Sequence, residues 1–385
     1  MHRRGGEGRS QHGLRQGPDR GPVRHDDELF GSTEENRSQD ELTARAPPNG
    51  VARVLRLSVL DLSPVTGDAT QAQAVRETIE VARAADRLGY DRFWVAEHHN
   101  IATLGSPNPE ILIAALTQAT SRIRLGSGGV MLVNYSPLKV AETFMELEAL
   151  APGRIDLGLG RALGADARTG GALRSVGSDA FPQYFQLLSS WLLDAAGKVP
   201  IPEGHPIFDI KANPSGPSHP DVFVLCTSEE SAAFAGLRGV GMVFAEFIAR
   251  AEAGPAIAAY RRSFQPSPFR SEPWAGTAVI AYAAETADDA WRGDAPRRAG
   301  TVAMLSGRRR RFTDIEGAEA FLAEWKGTPL LAEVEGRTIA GDAATVRAAL
   351  AAKAERTGAD EVFVMSAGPS LEARIRSLEL LAPAA

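Results

Sequence analysis

Four short polar clusters in this 385-residue chain carry residue types that could do chemistry, and each directly follows an apolar run. Glu97, His98, His99 and Asn100 follow RFWVA. Ser127, Gly128 and Gly129 follow RIRLG. Gly160 and Arg161 close IDLGLGR, and Thr227, Ser228, Glu229, Glu230 and Ser231 follow DVFVLC. An imidazole can give or take a proton near neutral pH, which makes His98 the candidate acid–base group. The plainer alternative is a histidine that satisfies a loop carbonyl. Glu97 beside two histidines raises the question of a metal. Adjacent residues on extended chain point to opposite sides, however, and there is neither an HExxH spacing nor a third ligand, so no metal is expected.

Gly128 and Gly129 carry no side chains. They either let a flat ring lie against the backbone or mark a bulge in a strand. Arg161 could grip a phosphate or carboxylate with two parallel hydrogen bonds, or simply pair with a loop acid. Thr227, Ser228 and Ser231 fall at the start of a predicted helix, where free N–H groups and the helix dipole favour a phosphate. The same residues would serve equally as ordinary helix caps. Singly, each cluster is weak; four at the ends of apolar runs form a pattern.

The elements that must position them begin near residue 53. Eight apolar runs read as strands: Leu55–Leu60, Arg92–Ala96, Ile123–Leu132, Ile155–Leu159, Val222–Cys226, Met242–Phe247, Thr277–Ala283 and Glu361–Met365. Most lack polar alternation, as expected of strands buried on both faces in a parallel sheet. Helical periodicity fills the gaps. Residues 71–88 place Val75, Ile79, Ala82, Ala85 and Leu88 on one face before Gly89, and 109–119, 137–150, 343–355 and 371–381 also read as helices. Eight alternating units favour an α/β fold closed as a (β/α)8 TIM barrel, whose chemistry collects at the C-terminal ends of its strands. All four polar clusters fall there. A long excursion over residues 161–220, after the fourth strand, is an insertion and a candidate lid. Residues 285–340 show only weak patterning.

Residues 1–52 differ in kind, being rich in Gly, Arg, Pro and Gln with little apolar periodicity. Such a segment reads as a disordered tail ahead of a barrel domain over 53–385, or as the product of an upstream start codon. The hydrophobic fraction of 44% is ordinary for a globular protein, and the net charge of -6 gives no basic face for nucleic acid. The run Arg308–Arg311 reads as a solvated loop. The single cysteine, Cys226, precludes an intramolecular disulfide and a cysteine metal cage, and its place in DVFVLC suggests a core residue. No stretch approaches the ~20 apolar residues of a membrane span, and no signal peptide is recognisable, so a cytoplasmic protein is expected.

The segments FWVAEHHN, RIRLGSGGVMLVNYSPLKVAE, PGRIDLGLGRALGAD and SEESAAFAGLRGVGMVFAEF resemble the bacterial luciferase-like flavin monooxygenases, with the similarity running from about Leu57 to about Ala382. The resemblance implies a barrel that binds reduced FMN, supplied by a separate flavin reductase, and uses it to activate O2 and oxidise a small organic substrate. It matches His98 to the family's catalytic histidine and Gly128 and Gly129 to the segment beneath the flavin ring. Arg161, Thr227, Ser228 and Ser231 match the phosphate site. It also brings a homodimer to mind. Gly160 stands where bacterial luciferase has a cysteine and Thr227 where it has a glutamate, so light emission is not implied. The nearest likeness within the family is to stand-alone oxygenases of bacterial secondary metabolism. An F420-dependent hydride-transfer enzyme on the same barrel is the runner-up, and a non-catalytic flavin-binding protein is the alternative of another class.

Overall fold

In the computed structural model, residues 55–308 and 310–383 are described; the tail expected over residues 1–52 lies outside them. Ten strands form one sheet: β1 (Leu57–Asp61), β2 (Arg92–Val95), β3 (Arg124–Ser127), β4 (Val130–Met131), β5 (Ile155–Gly160), β6 (Asp221–Cys226), β7 (Gly241–Ala245), β8 (Ala275–Ala284), β9 (Thr338–Asp342) and β10 (Glu361–Ser366). All pairings are parallel. The order β1-β2-β3-β5-β6-β7-β8-β10 returns to β1, so eight strands close a TIM barrel. The eight expected strands are these eight, with the third one broken. What reads in sequence as one run over 123–132 is β3 and β4 separated by Gly128-Gly129, both paired to β5.

Helices form where sequence signals said they would. Gln71–Leu88 starts at a Thr70 capping box with Gln73 and ends at Gly89, whose φ of 83° is open to glycine without strain. Pro109–Ala119 and Pro137–Leu150 both begin on a proline, whose missing N–H costs nothing in the first turn. The buried stripe of Gln71–Leu88 is turned from the expected one. Of the expected face Ala82 and Ala85 are buried and Val75, Ile79 and Leu88 only flank the core, while Ala74, Thr78, Val81 and Ala84 complete the buried side. Its polar member explains the turn. Thr78 donates to the buried carboxylate of Asp61 at 3.0 Å, and Asp61 also pairs with the wholly buried Arg374 of helix Leu371–Leu381. A buried charge must be partnered, and that requirement sets the helix rotation.

Two excursions leave the barrel. Residues 161–220 include helices Ala167–Ala172 and Phe181–Ala195, and the second packs Phe181 and Phe185 on Phe234 of helix Glu229–Leu237. The weakly patterned stretch is a correction. It folds as four helices, Ala287–Gly293, Ala295–Leu305, Ile315–Glu324 and Pro329–Gly336, followed by β9. Their own apolar core includes Ala299, Val302, Phe312, Phe321, Leu322 and Val334. β8 is long enough to serve both layers. Its residues 275–278 pair with β7, and 280–284 pair with β9 on the same edge beyond the point where β7 ends. Of the arginine run, Arg308, Arg310 and Arg311 are exposed yet tethered rather than freely solvated. Arg308 lies over Phe321 and Trp325, Arg310 over Phe312, and Arg311 donates to the carbonyls of Gly67 and Ala69.

Inside the barrel, the end opposite the strand C-termini is filled by paired charges. Arg92 meets Asp156 at 2.7 Å and Glu361 at 3.2 Å, and Arg124 meets Asp156 at 2.6 Å. Trp94 donates its indole N–H to Asp156 at 2.9 Å, and Ser58 donates to Glu361. Burial raises the pKa of Asp156, but the two guanidiniums more than offset that, and its carboxyl lies below the usual range. Removing one member of such a set strands the others. Asp156→Ala should therefore destabilise the fold by about 3–5 kcal/mol, read as a drop in the urea midpoint. A loss below about 1 kcal/mol would show that water screens these charges.

Candidate active site

The four polar clusters all reach the C-terminal mouth. Inward-facing positions alternate along each strand, and β2 presents Arg92, Trp94 and Ala96 to the barrel interior, with Trp94 and Ala96 in its apolar cluster. His98 continues that alternation just beyond the strand. Its main-chain N–H donates to the carbonyl of Ser106 at 3.0 Å, while its Nδ1 is buried and has no partner. Burial, and then the neighbouring His99, depress its pKa to about 4, so the ring is neutral at physiological pH.

Glu97 is the residue that sequence reasoning undervalued. Fully buried and pointing the other way, its carboxylate accepts from His99 Nε2 at 2.8 Å, Tyr135 Oη at 2.9 Å, the Met131 N–H at 2.9 Å and Asn134 Nδ2 at 3.4 Å. Burial, and then the charge of Glu97, push the Tyr135 hydroxyl well above the usual phenol range. Asn134 also donates to the Leu163 carbonyl at 3.0 Å, and His99 N–H to that of Gly164 at 3.0 Å, so the same hub anchors the excursion after β5. Asn134 and Tyr135 stand in LVNYSP, directly after the glycine pair, where a polar pair interrupting an apolar run was the available signal. Among the described residues, no group of three His, Cys, Asp or Glu side chains is placed to hold a metal ion.

Gly128 and Gly129 form a cis peptide between β3 and β4. A Cβ on Gly128 would stand 2.5 Å from Leu60 Cδ1, and one on Gly129 would stand 2.6 Å from the Gly158 carbonyl oxygen. Gly129 is thus required by the backbone of the barrel wall, while at Gly128 a flexible side chain would have to give way. Gly160 nearby is likewise tight, since a Cβ there would stand 2.7 Å from Met131 Sδ.

Arg161 and the start of helix Glu229–Leu237 come together on the rim. Ser228 and Ser231 form a capping box, each hydroxyl 3.3 Å from the other's main-chain nitrogen, so the capping role is real. Thr227 beside them is exposed. Arg161 stands 3.9 Å from Glu230 with both side chains largely in solvent, a pair too weak to hold it against a phosphate. Cys226 is fully buried with its thiol pushed up to about 12 by burial, in keeping with a core residue. A groove of about 590 Å³ lies elsewhere, on the outer wall between helices Ala253–Ser263 and Ala343–Thr357, and none of the candidate residues lines it.

The fold and this rim define a TIM-barrel protein whose C-terminal mouth carries His98 with its buried Nδ1, a glycine pair, and Arg161 beside a helix start that bears Glu229 and Glu230. The chain belongs to the luciferase-like monooxygenase family, whose model matches residues 55–361. The crystal structure of apo-MsnO8 is similar at 38% identity and a TM-score of 0.77, covering 85% of this chain and 97% of that one. N-acetyl-S-alkylcysteine monooxygenase of Bacillus subtilis is 37% identical over 270 residues, 70% of this chain and 80% of the relative. The oxygenase component of the flavin-dependent trigonelline monooxygenase of Acinetobacter baylyi is 36% identical over 97 residues, 25% of this chain and 27% of the relative. No helix among the described residues is long and apolar enough to cross a membrane.

The depressed pKa of His98 has a measurable consequence. An unfolded histidine titrates near 6.5, so between pH 6.5 and about 4 the unfolded state binds the extra proton and stability falls as pH falls. In urea unfolding at pH 7 and 4.5, His98→Gln should lose about 2–3 kcal/mol less than the parent. Equal losses would mean that the ring is free to protonate in the folded protein.

Proposed function

We propose that this protein is an FMN-dependent monooxygenase that takes reduced flavin from a separate reductase and oxidises a small organic substrate with O2. The observation that carries this reading is the pairing of His98, neutral and unpartnered at Nδ1, with Gly128, Gly129 and Gly160 across one mouth. The residues fit a flavin nucleotide. Arg161 and the N–H groups at the start of helix Glu229–Leu237, with the hydroxyls of Thr227, Ser228 and Ser231, would hold its phosphate. The wall from Ala96 to Gly160 would face its ring. Reduced flavin, when bound, supplies the electrons that activate oxygen.

The remaining work falls to side chains. His98 Nδ1 is the atom placed to accept or return a proton, and a negative charge brought to the mouth favours the protonated ring, raising its pKa toward a useful range. Glu97 does not face the mouth; it holds the backbone that carries His98. The helical excursion over 285–342 excludes water from one side, which guards a reactive oxygen species against loss. The flavin-dependent relative, an oxygenase component by name, supports both the cofactor and the reductase. A cytoplasmic location fits this reading, since reduced flavin is available there.

Two variants separate binding from chemistry. Arg161→Ala removes a charged partner of the phosphate, so FMN should bind about tenfold to a hundredfold more weakly, equivalent to ~1.5–3 kcal/mol. Unchanged affinity in a fluorescence titration would move the phosphate site elsewhere on the rim. His98→Ala should leave FMN affinity within about twofold and cut product yield by ~100-fold, with oxygen consumption persisting as hydrogen peroxide. Wild-type coupling of oxygen to product in that variant would end the assignment.

A further inference from the structure

The two sides of the mouth differ in a way that bears on the substrate. The β2–β5 side ends in Ala96, Gly128 and Gly160, whereas the opposite side, from β6 round to β1, ends in Leu225, Phe247, Ile280, Met365 and Leu62. Several of these are only half-buried, so they border free space. The excursion closes over them, since Ala290 and Ala340 pack in the same apolar cluster as Ile280, Tyr282 and Met365. The charges on inward-facing strand positions are at the other end of the barrel, where Arg92, Arg124, Asp156 and Glu361 neutralise one another. Arg337, which donates to the Phe247 carbonyl at 3.3 Å, is itself paired with Glu333 at 2.7 Å.

From this asymmetry we infer that the β6–β1 side of the mouth is a substrate chamber for uncharged, apolar molecules and excludes carboxylates. This inference rests on the reading of the mouth as an oxygenase site. The physical reason is that a carboxylate brought among Phe247, Ile280 and Met365 would lose its hydration with only Arg337, already paired with Glu333, to replace it, whereas an alkyl chain gains by leaving water. The apolar wall thus selects by repelling charge as much as by contact.

Methyl octanoate and octanoate differ in charge and little else, and their binding by calorimetry tests the inference on the full chain, with FMN titrated in the same samples. The ester should bind at least tenfold more tightly than the acid. Met365→Lys should shrink or invert that ratio; should this variant fail to fold, Ala340→Lys brings the same charge from the strand of the excursion. Octanoate binding as well as the ester, neither ligand binding, or a ratio unmoved by the lysine would each overturn the chamber. Failure of FMN to bind would remove the oxygenase reading alone, because the ratio of ester to acid still decides the selectivity of the mouth.

Discussion

Asp156 is the residue on which the geometry of the mouth depends. Its carboxylate is fully buried at the base of the barrel, so it must be met by donors from several strands at once. Arg92 and Arg124 meet its charge, and the Trp94 indole takes one more position on Oδ2, which fixes that ring across the barrel interior. Once Trp94 is fixed, its neighbours on β3 have no room. A Cβ on Gly126 would stand 2.7 Å from the indole nitrogen, and one on Gly128 would stand 3.3 Å from Trp94 Cβ. Gly126 therefore answers to a packing demand set by the indole, whereas Gly129 answers to the Gly158 backbone and Gly160 to the Met131 side chain.

Most of the fold was legible because burial on both faces leaves a plain signature. Runs such as VFVLC and FVM have no polar alternation, and each strand of the closed barrel falls within a few residues of such a run. Helices with proline or capping-box starts were equally clear, several to the residue. The third strand read as continuous because composition does not show a ladder's interruption; only the packing against Leu60 and Gly158 does. The excursion over 285–342 was obscure for another reason. Its helices are short, rich in Ala and Arg, and bury small faces in a core of their own, with ion pairs such as Arg298–Glu335 at 2.8 Å binding them together. A hydrophobic stripe of two turns is hard to tell from loop composition.

The four polar clusters do lie at the C-terminal ends of their strands, and sequence alone left the alternatives for each open. Ser228 and Ser231 were open to two uses; the capping hydrogen bonds realise one, and the Ser231 hydroxyl also donates to the Ser228 carbonyl at 2.9 Å. Arg161 was open to a loop acid or an anion, and its loose approach to Glu230 leaves the second use available. Glu97 was weighed only as a metal ligand beside two histidines. Its four donors come from residues 34 to 38 positions away and from His99, and no local pattern announces that convergence.

Glu97 and His98 are best understood as one device. On extended chain, consecutive side chains must point apart, so a carboxylate locked to Met131, Tyr135 and His99 on the outer side leaves His98 no choice but the inner one. The lock also ties the chain on both sides of the histidine, through the His98 N–H to Ser106 and the His99 N–H to Gly164. A ring held in this way, with one nitrogen unpartnered and its charge suppressed by burial, is poised by its surroundings rather than by its own basicity. What changes its proton affinity is the charge that arrives in the mouth. On the proposed reading, an anion held beside Arg161 would raise that affinity, so the rim and His98 would act through one electrostatic field.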